Sequence, residues 1–175
     1  MVNITYRLGE LFSGPGGIAL GAKSAKIRVN GFSYSISHAW ATDYDKDTCE
    51  TYKHNICPEN PKSVVCKDIR KLDIEKLADI SPIDALAFGF PCNDFSVVGE
   101  QKGIDGIYGP LYAYGVKTLK VFKPQWFLAA VVPSKLVAIP YTFHKFFFPT
   151  LETLFSKHST RINSKYLLLK FSNCK

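Results

Sequence analysis

One turn constrains this chain more than any other feature. Phe12-Ser13-Gly14-Pro15-Gly16-Gly17 follows an apolar run, Tyr6 to Phe12, that reads as a strand, and precedes Ile18 to about Ala25, which reads as a helix. Glycine tolerates backbone angles that other residues avoid and lets the main chain approach a ligand closely. A strand that passes straight into a helix through such residues is where an α/β sheet receives a nucleotide-like group. The same turn can also be purely structural, and its surroundings have to decide.

Those surroundings alternate. Phe32 to Thr42 reads as a second strand, Lys46 to His54 as a helix, Val64-Val65 as a short third strand and Ile74 to Ile80 as a short helix. Asp84 to Phe90 is the clearest strand, ending at the turn-forming Pro91. A polar, glycine-rich loop from Val98 to Gly109 leads to a helix over Leu111 to Val121 and a buried strand over Gln125 to Val132. Strands alternating with helices predict a mostly parallel, doubly wound α/β sheet with crossover helices. The 175 residues suffice for one such domain.

The pattern breaks near residue 130. All 12 glycines lie between Gly9 and Gly115, whereas 6 of the 13 phenylalanines lie in the last 45 residues. Charge breaks at the same place: of the net +7, residues 1–130 carry +1 and residues 131–175 carry +6. The basicity that would suggest phosphate binding therefore belongs to the tail. That tail reads either as a single-strand surface of rings and lysines or as poorly packed sequence, because neither charges nor rings recur with a period. Within it, Leu151 to His158 suits a helix and Tyr166 to Phe171 a strand.

Several classes are excluded. No apolar run reaches the roughly 18 residues of a membrane helix, and Met1 to Arg7 lacks the order of a secretory signal. Five cysteines without CxxC spacing argue against a disulfide framework or a structural metal site. Free thiols and a cytoplasmic setting are expected, with neither a metal nor a membrane partner.

Candidate site residues gather at the predicted carboxyl ends of the strands. Asp43 ends the second strand, where a carboxylate can accept both ribose hydroxyls of an adenosine, and Tyr44 can pack on the base; the alternative is a solvated acidic turn with Asp45 and Asp47. Asp68-Ile69 suits an adenine edge and face in the same way. Cys92, within Gly89-Phe90-Pro91-Cys92-Asn93-Asp94-Phe95-Ser96, stands just past a buried strand. A thiolate there is a nucleophile; an isolated cysteine elsewhere is a small hydrophobe.

Together these segments resemble the DNA (cytosine-5) methyltransferase family over residues 8 to about 129. Phe12 to Gly17 resembles its first motif, Asp43-Tyr44 its acidic second-strand motif, Asp68-Ile69 its third, and Gly89 to Ser96 its Pro-Cys nucleophile loop. Gly109-Pro110-Leu111-Tyr112 resembles the segment that follows, and the family order is kept. The resemblance implies a Rossmann-like, S-adenosylmethionine-dependent fold. Phe12, Ser13, Gly14, Gly16, Gly17, Asp43, Tyr44, Asp68, Ile69, Phe90, Pro91 and Leu111 would hold the cofactor. It implies double-stranded DNA as substrate, with a cytosine turned out of the stack so that Cys92 can add to C6, and a place in a restriction-modification system. Asn93 stands where the family often has Gln.

The resemblance also fails at the break. The family's strand ends in Glu-Asn-Val, the glutamate meeting the cytosine, but here Trp126-Phe127-Leu128-Ala129 is followed by Ala130-Val131-Val132. The later Gln-x-Arg-x-Arg segment, the target-recognition region and a returning C-terminal helix are not found. The expectation is an incomplete methyltransferase core over residues 1–130, a foreign or out-of-frame tail over 131–175, and little or no activity unless a second polypeptide supplies the rest. Two other readings stay open: a non-catalytic module that binds cofactor or nucleic acid, and a relative acting on a tRNA cytosine.

Overall fold

The computed structural model describes residues 1–89 and 111–130 and, as backbone alone, two strands of the tail, Ser159–Asn163 and Tyr166–Lys170. The chain divides into two units, Met1–Phe88 and Gly89–Lys175.

In the first unit, β1 (Val2–Leu11) runs parallel to β3 (Phe32–Asp43) over its whole length. β5 (Ala85–Phe88) lies parallel on the other side of β1, and β4 (Val64–Cys66) is parallel to the last residues of β3. The order β4-β3-β1-β5 is therefore all parallel. β1 ends in four buried residues, Leu8 to Leu11, and β5 is buried throughout. Continuous burial replaces alternation where both faces of a parallel sheet are covered. The register slips once, between Leu8 and Gly9. There Gly9 is needed: a Cβ would stand 2.6 Å from the Trp40 ring.

Helices α1 (Gly17–Ser24), α2 (Lys46–Ile56) and α3 (Ile74–Ile80) match the expected segments closely. α2 starts because the Asp45 carboxylate accepts the Thr48 N–H at 2.8 Å, the usual way an acidic N-cap satisfies an orphan donor. It buries Cys49, Tyr52 and Ile56, residues three and four apart on one face. These pack with Ala19, Ala41 and Val64. Lys23 of α1 donates its ammonium to the Ile56 carbonyl, tying the two helices together.

One element departs from the expectation. β2 (Lys26–Val29) pairs antiparallel with the start of β3 through Asn30 and Gly31, both at positive φ. This hairpin and the first half of β1 extend the sheet past its helices. The register aligns Ile27, Val29, Phe32, Tyr34, Val2 and Ile4 side by side, and Ile27 is 65% exposed.

The second unit carries α4 (Leu111–Phe122) and β6 (Trp126–Ala130), close to the expected limits. Leu111, Gly115, Val116, Thr118 and Leu119 form the buried stripe of α4. In the tail, the strand expected over Tyr166 to Phe171 is present as β8 (Tyr166–Lys170), which pairs antiparallel with β6; β7 (Ser159–Asn163), which was not expected, pairs antiparallel with β8. Backbone pairing needs no hydrophobic period, so the lack of one in the tail did not forbid strands. The expected helix over Leu151 to His158 and the loop over Val98 to Gly109 lie outside the described residues. The architecture is the expected α/β, mostly parallel, Rossmann-like class, and it is incomplete.

Candidate functional site

The glycine turn sits at the carboxyl end of β1 and is fastened to its neighbours. Phe12 leaves the strand at φ +54, a left-handed conformation uncommon for a non-glycine residue. The Ser13 N–H donates to the Thr42 carbonyl at 3.1 Å, and the Gly14 N–H to the Asp43 carboxylate at 2.9 Å. Gly16, at φ +100, is the N-cap of α1 and closes on α2, where a Cβ would meet Ile56 at 2.6 Å and Tyr52 at 3.1 Å. Among the described residues, a Cβ at Gly14 or Gly17 would meet nothing within 4 Å. One side of the turn is thus packed and the other open.

Asp43 closes β3 beside this turn. Its carboxylate accepts the Gly14 and Asp45 N–H groups, at 2.9 and 3.1 Å. An ionised carboxylate offers about four acceptor positions, so two remain for hydroxyl donors. Tyr44, next to it, is 70% exposed and free to cover a planar group. The Lys67 N–H donates to the Asp43 carbonyl at 2.8 Å, which brings the end of β4 alongside. Asp68 follows, its carboxylate held by Arg70 through Nη2 at 2.6 Å and Nε at 3.0 Å. That pairing, with the Arg70 backbone N–H, lowers the Asp68 carboxyl to about 2. Ile69 is almost fully buried and supports the loop from below.

A buried polar chain under the turn escaped the sequence reading. Glu10, in the last turn-proximal stretch of β1, is 1% exposed. Its Oε2 accepts the Tyr52 hydroxyl of α2, its carboxylate meets the Ala19 backbone N–H of α1, and its Oε1 has no partner. Tyr52 Oη lies 3.1 Å from His38 Nδ1, and His38 Nε2 lies 2.7 Å from Ser63 Oγ. Burial dominates the titration of both ends. It pushes the Glu10 carboxyl up to about 7, against the lowering effect of Tyr52 and Ala19, and pushes His38 down to about 4. The signal in the sequence was an acid inside an otherwise apolar strand end, Gly9-Glu10-Leu11-Phe12.

Of the remaining expected site residues, Leu111 is buried at the start of α4. Phe90, Pro91 and Cys92 lie outside the described residues. The last described residue before them, Gly89, faces the end of β6: a Cβ there would stand 3.3 Å from the Ala130 carbonyl. Cys49, Cys57 and Cys66 are free thiols, as expected. Burial pushes Cys49 up to about 12 and raises Cys57 too, so neither supplies a thiolate near neutral pH. Among the described residues no group of His, Cys, Asp and Glu could hold a metal ion, and no helix is long and apolar enough to cross a membrane.

Comparison with known proteins agrees with this geometry. The C-5 cytosine-specific DNA methylase family model matches residues 6–134. The type II methyltransferase M.BbvI of Brevibacillus brevis is 56% identical over 127 residues, which are 71% of this chain and 34% of that protein. M.Bsp6I of Bacillus sp. is 33% identical over 120 residues, 68% of this chain and 33% of its own length. The chain thus spans about a third of these relatives. Among solved structures, a prophage-encoded E. coli protein assigned as a DNA modification methyltransferase superposes with a TM-score of 0.68 at 21% identity, over 95% of this chain and 47% of that one. At that identity the match speaks for the fold.

Proposed function

The chain belongs to the C-5 cytosine-specific DNA methylase family, and from that premise we propose that it is the cofactor-binding part of a restriction-modification DNA (cytosine-5) methyltransferase, working in the cytoplasm on double-stranded DNA. The observation that carries the reading is the fastening of three strand ends around one open glycine turn. The Gly14 N–H and the Lys67 N–H both bond to Asp43, so the ends of β1, β3 and β4 face one place.

The residues present fit S-adenosylmethionine. Open space at Gly14 and Gly17 admits the methionyl end against the backbone, and Phe12, Ser13 and Gly16 fix that bend. The two spare acceptor positions of Asp43 suit the ribose hydroxyls, and exposed Tyr44 suits the adenine face. Asp68 and Ile69, beside the end of β4, suit the edge and face of the same base, and the family resemblance adds Phe90, Pro91 and Leu111 to the proposed cofactor set. When bound, this cofactor supplies an electrophilic methyl group on a sulfonium.

Cys92 is the proposed nucleophile. Its thiolate would add to C6 of the extruded cytosine, and the electron pair released to C5 would take the methyl group as its bond to the sulfonium breaks and the neutral thioether, S-adenosylhomocysteine, leaves. Loss of the C5 proton then expels the thiolate and restores the ring. An unactivated pyrimidine carbon is too weak a nucleophile for direct transfer, so the covalent step is required. In the family a glutamate stabilises the adduct; here Ala130 stands in its place, and the Ala130 carbonyl lies 3.3 Å from where a Gly89 Cβ would be. Alanine offers neither a proton nor a hydrogen bond. Loss of a positioned acid commonly costs about 10² to 10⁴ in rate, so the chain alone is expected to turn over slowly or not at all. Residues 131–175 are proposed as sequence foreign to the family, and a second polypeptide as the source of the missing motifs.

The test has two arms. Calorimetry with S-adenosylmethionine should give one site, weakened at least tenfold by Asp43→Ala and unchanged by Cys92→Ser. Incubation with a 5-fluorocytosine duplex and cofactor should trap a covalent complex only when Cys92 is present and a family member lacking its own first motif supplies the remainder. No heat of cofactor binding would defeat the cofactor reading, and trapping that survives Cys92→Ser would defeat the mechanism.

A further inference from the structure

Glu10 is a charged group where a parallel strand has both faces covered, and it does not lie on the open side of the turn. It sits beneath α1, meeting the Ala19 N–H in the first turn of that helix and receiving the Tyr52 hydroxyl from α2. Tyr52 is also one of the two side chains on which Gly16 closes, 3.1 Å from the position of a Cβ. Behind Tyr52, the Ser63 hydroxyl donates to the Asn60 carbonyl at 2.7 Å, so the Nε2–H of a neutral His38 ring donates to Ser63 Oγ and its Nδ1 is left as an acceptor. The single Tyr52 hydroxyl proton then faces two acceptors, His38 Nδ1 and the Glu10 carboxylate, and both are served only when Glu10 carries a proton of its own.

We propose that Glu10 is the positioning residue of the glycine turn: it locks the first turn of α1 to Tyr52 from below, and its protonation state changes how tightly the turn is held. The proposal rests on the cofactor reading above for its functional meaning. Its physical basis stands apart from that reading. When ionised, the carboxylate accepts the Tyr52 hydroxyl and attracts the Ala19 N–H at the start of α1, which draws α1 toward α2; its other oxygen, Oε1, is buried with no partner among the described residues, which favours uptake of a proton. When protonated, the group loses most of its attraction for the Ala19 N–H, and the helix start loosens. The titratable group facing Glu10 directly is Tyr52, whose hydroxyl burial and Glu10 itself keep protonated. His38 stands behind it, with Lys23 and Glu59 bearing on His38 and Cys57 on Tyr52.

The experiment follows the backbone amide shifts of Gly14, Gly16, Gly17 and Ala19 in the full chain by NMR, without ligand, from pH 5 to 9. The expected result is a shared titration with a midpoint near 7, the value to which burial raises Glu10, that disappears in Glu10→Gln. In Tyr52→Phe the midpoint should move upward, because a donor that favours the ionised form is gone, and this variant decides the matter if Glu10→Gln does not fold. Turn amides that are silent between pH 5 and 9, or that titrate unchanged in Glu10→Gln, overturn the proposal. Calorimetry with S-adenosylhomocysteine is run on the same samples. Absence of binding together with titrating amides defeats the cofactor reading and leaves the positioning role intact; binding together with silent amides does the reverse.

Discussion

At the scale of single residues, three glycines of one turn face different physical demands. Gly16 has φ +100 and no room for a Cβ, with Ile56 at 2.6 Å. Gly14 has φ +56 and open space, whereas Gly17 has open space, no positive φ and a place in the first turn of α1. Left-handed backbone costs an L-residue about 1–2 kcal/mol, and overpacking adds about 1–3 kcal/mol. Gly16→Ala should therefore destabilise most, Gly14→Ala by about 1–2 kcal/mol, and Gly17→Ala should stabilise by about 0.4–1 kcal/mol. Urea unfolding of the three variants checks this order. The same series separates stability from binding. Gly17→Ala places a methyl group where the cofactor's methionyl end is proposed to lie, so calorimetry should find affinity falling as stability rises. Undiminished affinity in that variant would mean the open side of the turn is not where the ligand sits.

Among the elements, the β2–β3 hairpin is held by little more than its turn. All four residues of β2 are exposed, and its loop needs positive φ at both Asn30 and Gly31, the pattern of a two-residue hairpin turn. Gly31→Ala should cost about 1–2 kcal/mol locally. Hydrogen exchange should then quicken at the paired amides of Lys26–Val29 and not at Leu8–Leu11, which lie in the covered part of β1; equal acceleration in both would show that the hairpin and the parallel core open together. Asn30-Gly31 is among the strongest short hairpin signals, but the sequence reading passed over it, because Lys26-Ile27-Arg28-Val29 looks like a linker whose charges alternate with apolar residues over only four positions. α2 was legible for the opposite reason: Asp45 caps it and Cys49, Tyr52 and Ile56 give it a face. The site divides in the same way. Glycines and strand-end acids announce themselves, because turns and caps are local. The Glu10–Tyr52–His38–Ser63 chain joins residues up to 53 positions apart, and only the parallel crossovers bring them together.

For the whole molecule, that chain makes stability respond to pH in two opposed ways. Glu10 has its folded-state carboxyl raised to about 7 from an ordinary 4.5. Between those values the native state holds a proton that the unfolded chain has lost, so this contribution is full below pH 4.5 and drains away as pH rises through 7. Each unit of displacement corresponds to about 1.4 kcal/mol, which makes the loss roughly 3 kcal/mol at most. His38 is lowered to about 4 from 6.5. There the unfolded chain holds the extra proton, so stability grows as pH climbs from 4 to 6.5. The two windows overlap with opposite slopes, and the parent chain should show a nearly level stability between pH 4.5 and 6.5. Replacing one end of the chain unmasks the other. Glu10→Gln should become steadily more stable from pH 4.5 to 6.5, and His38→Gln steadily less stable over the same range, read as urea midpoints at half-unit intervals. The level parent profile follows from a carboxyl and an imidazole buried in one hydrogen-bonded line, each penalised for its charge by the same helix packing. A parent profile as steep as either variant's would mean that one of the two groups reaches water in solution, and the line beneath the turn would then be broken at that end.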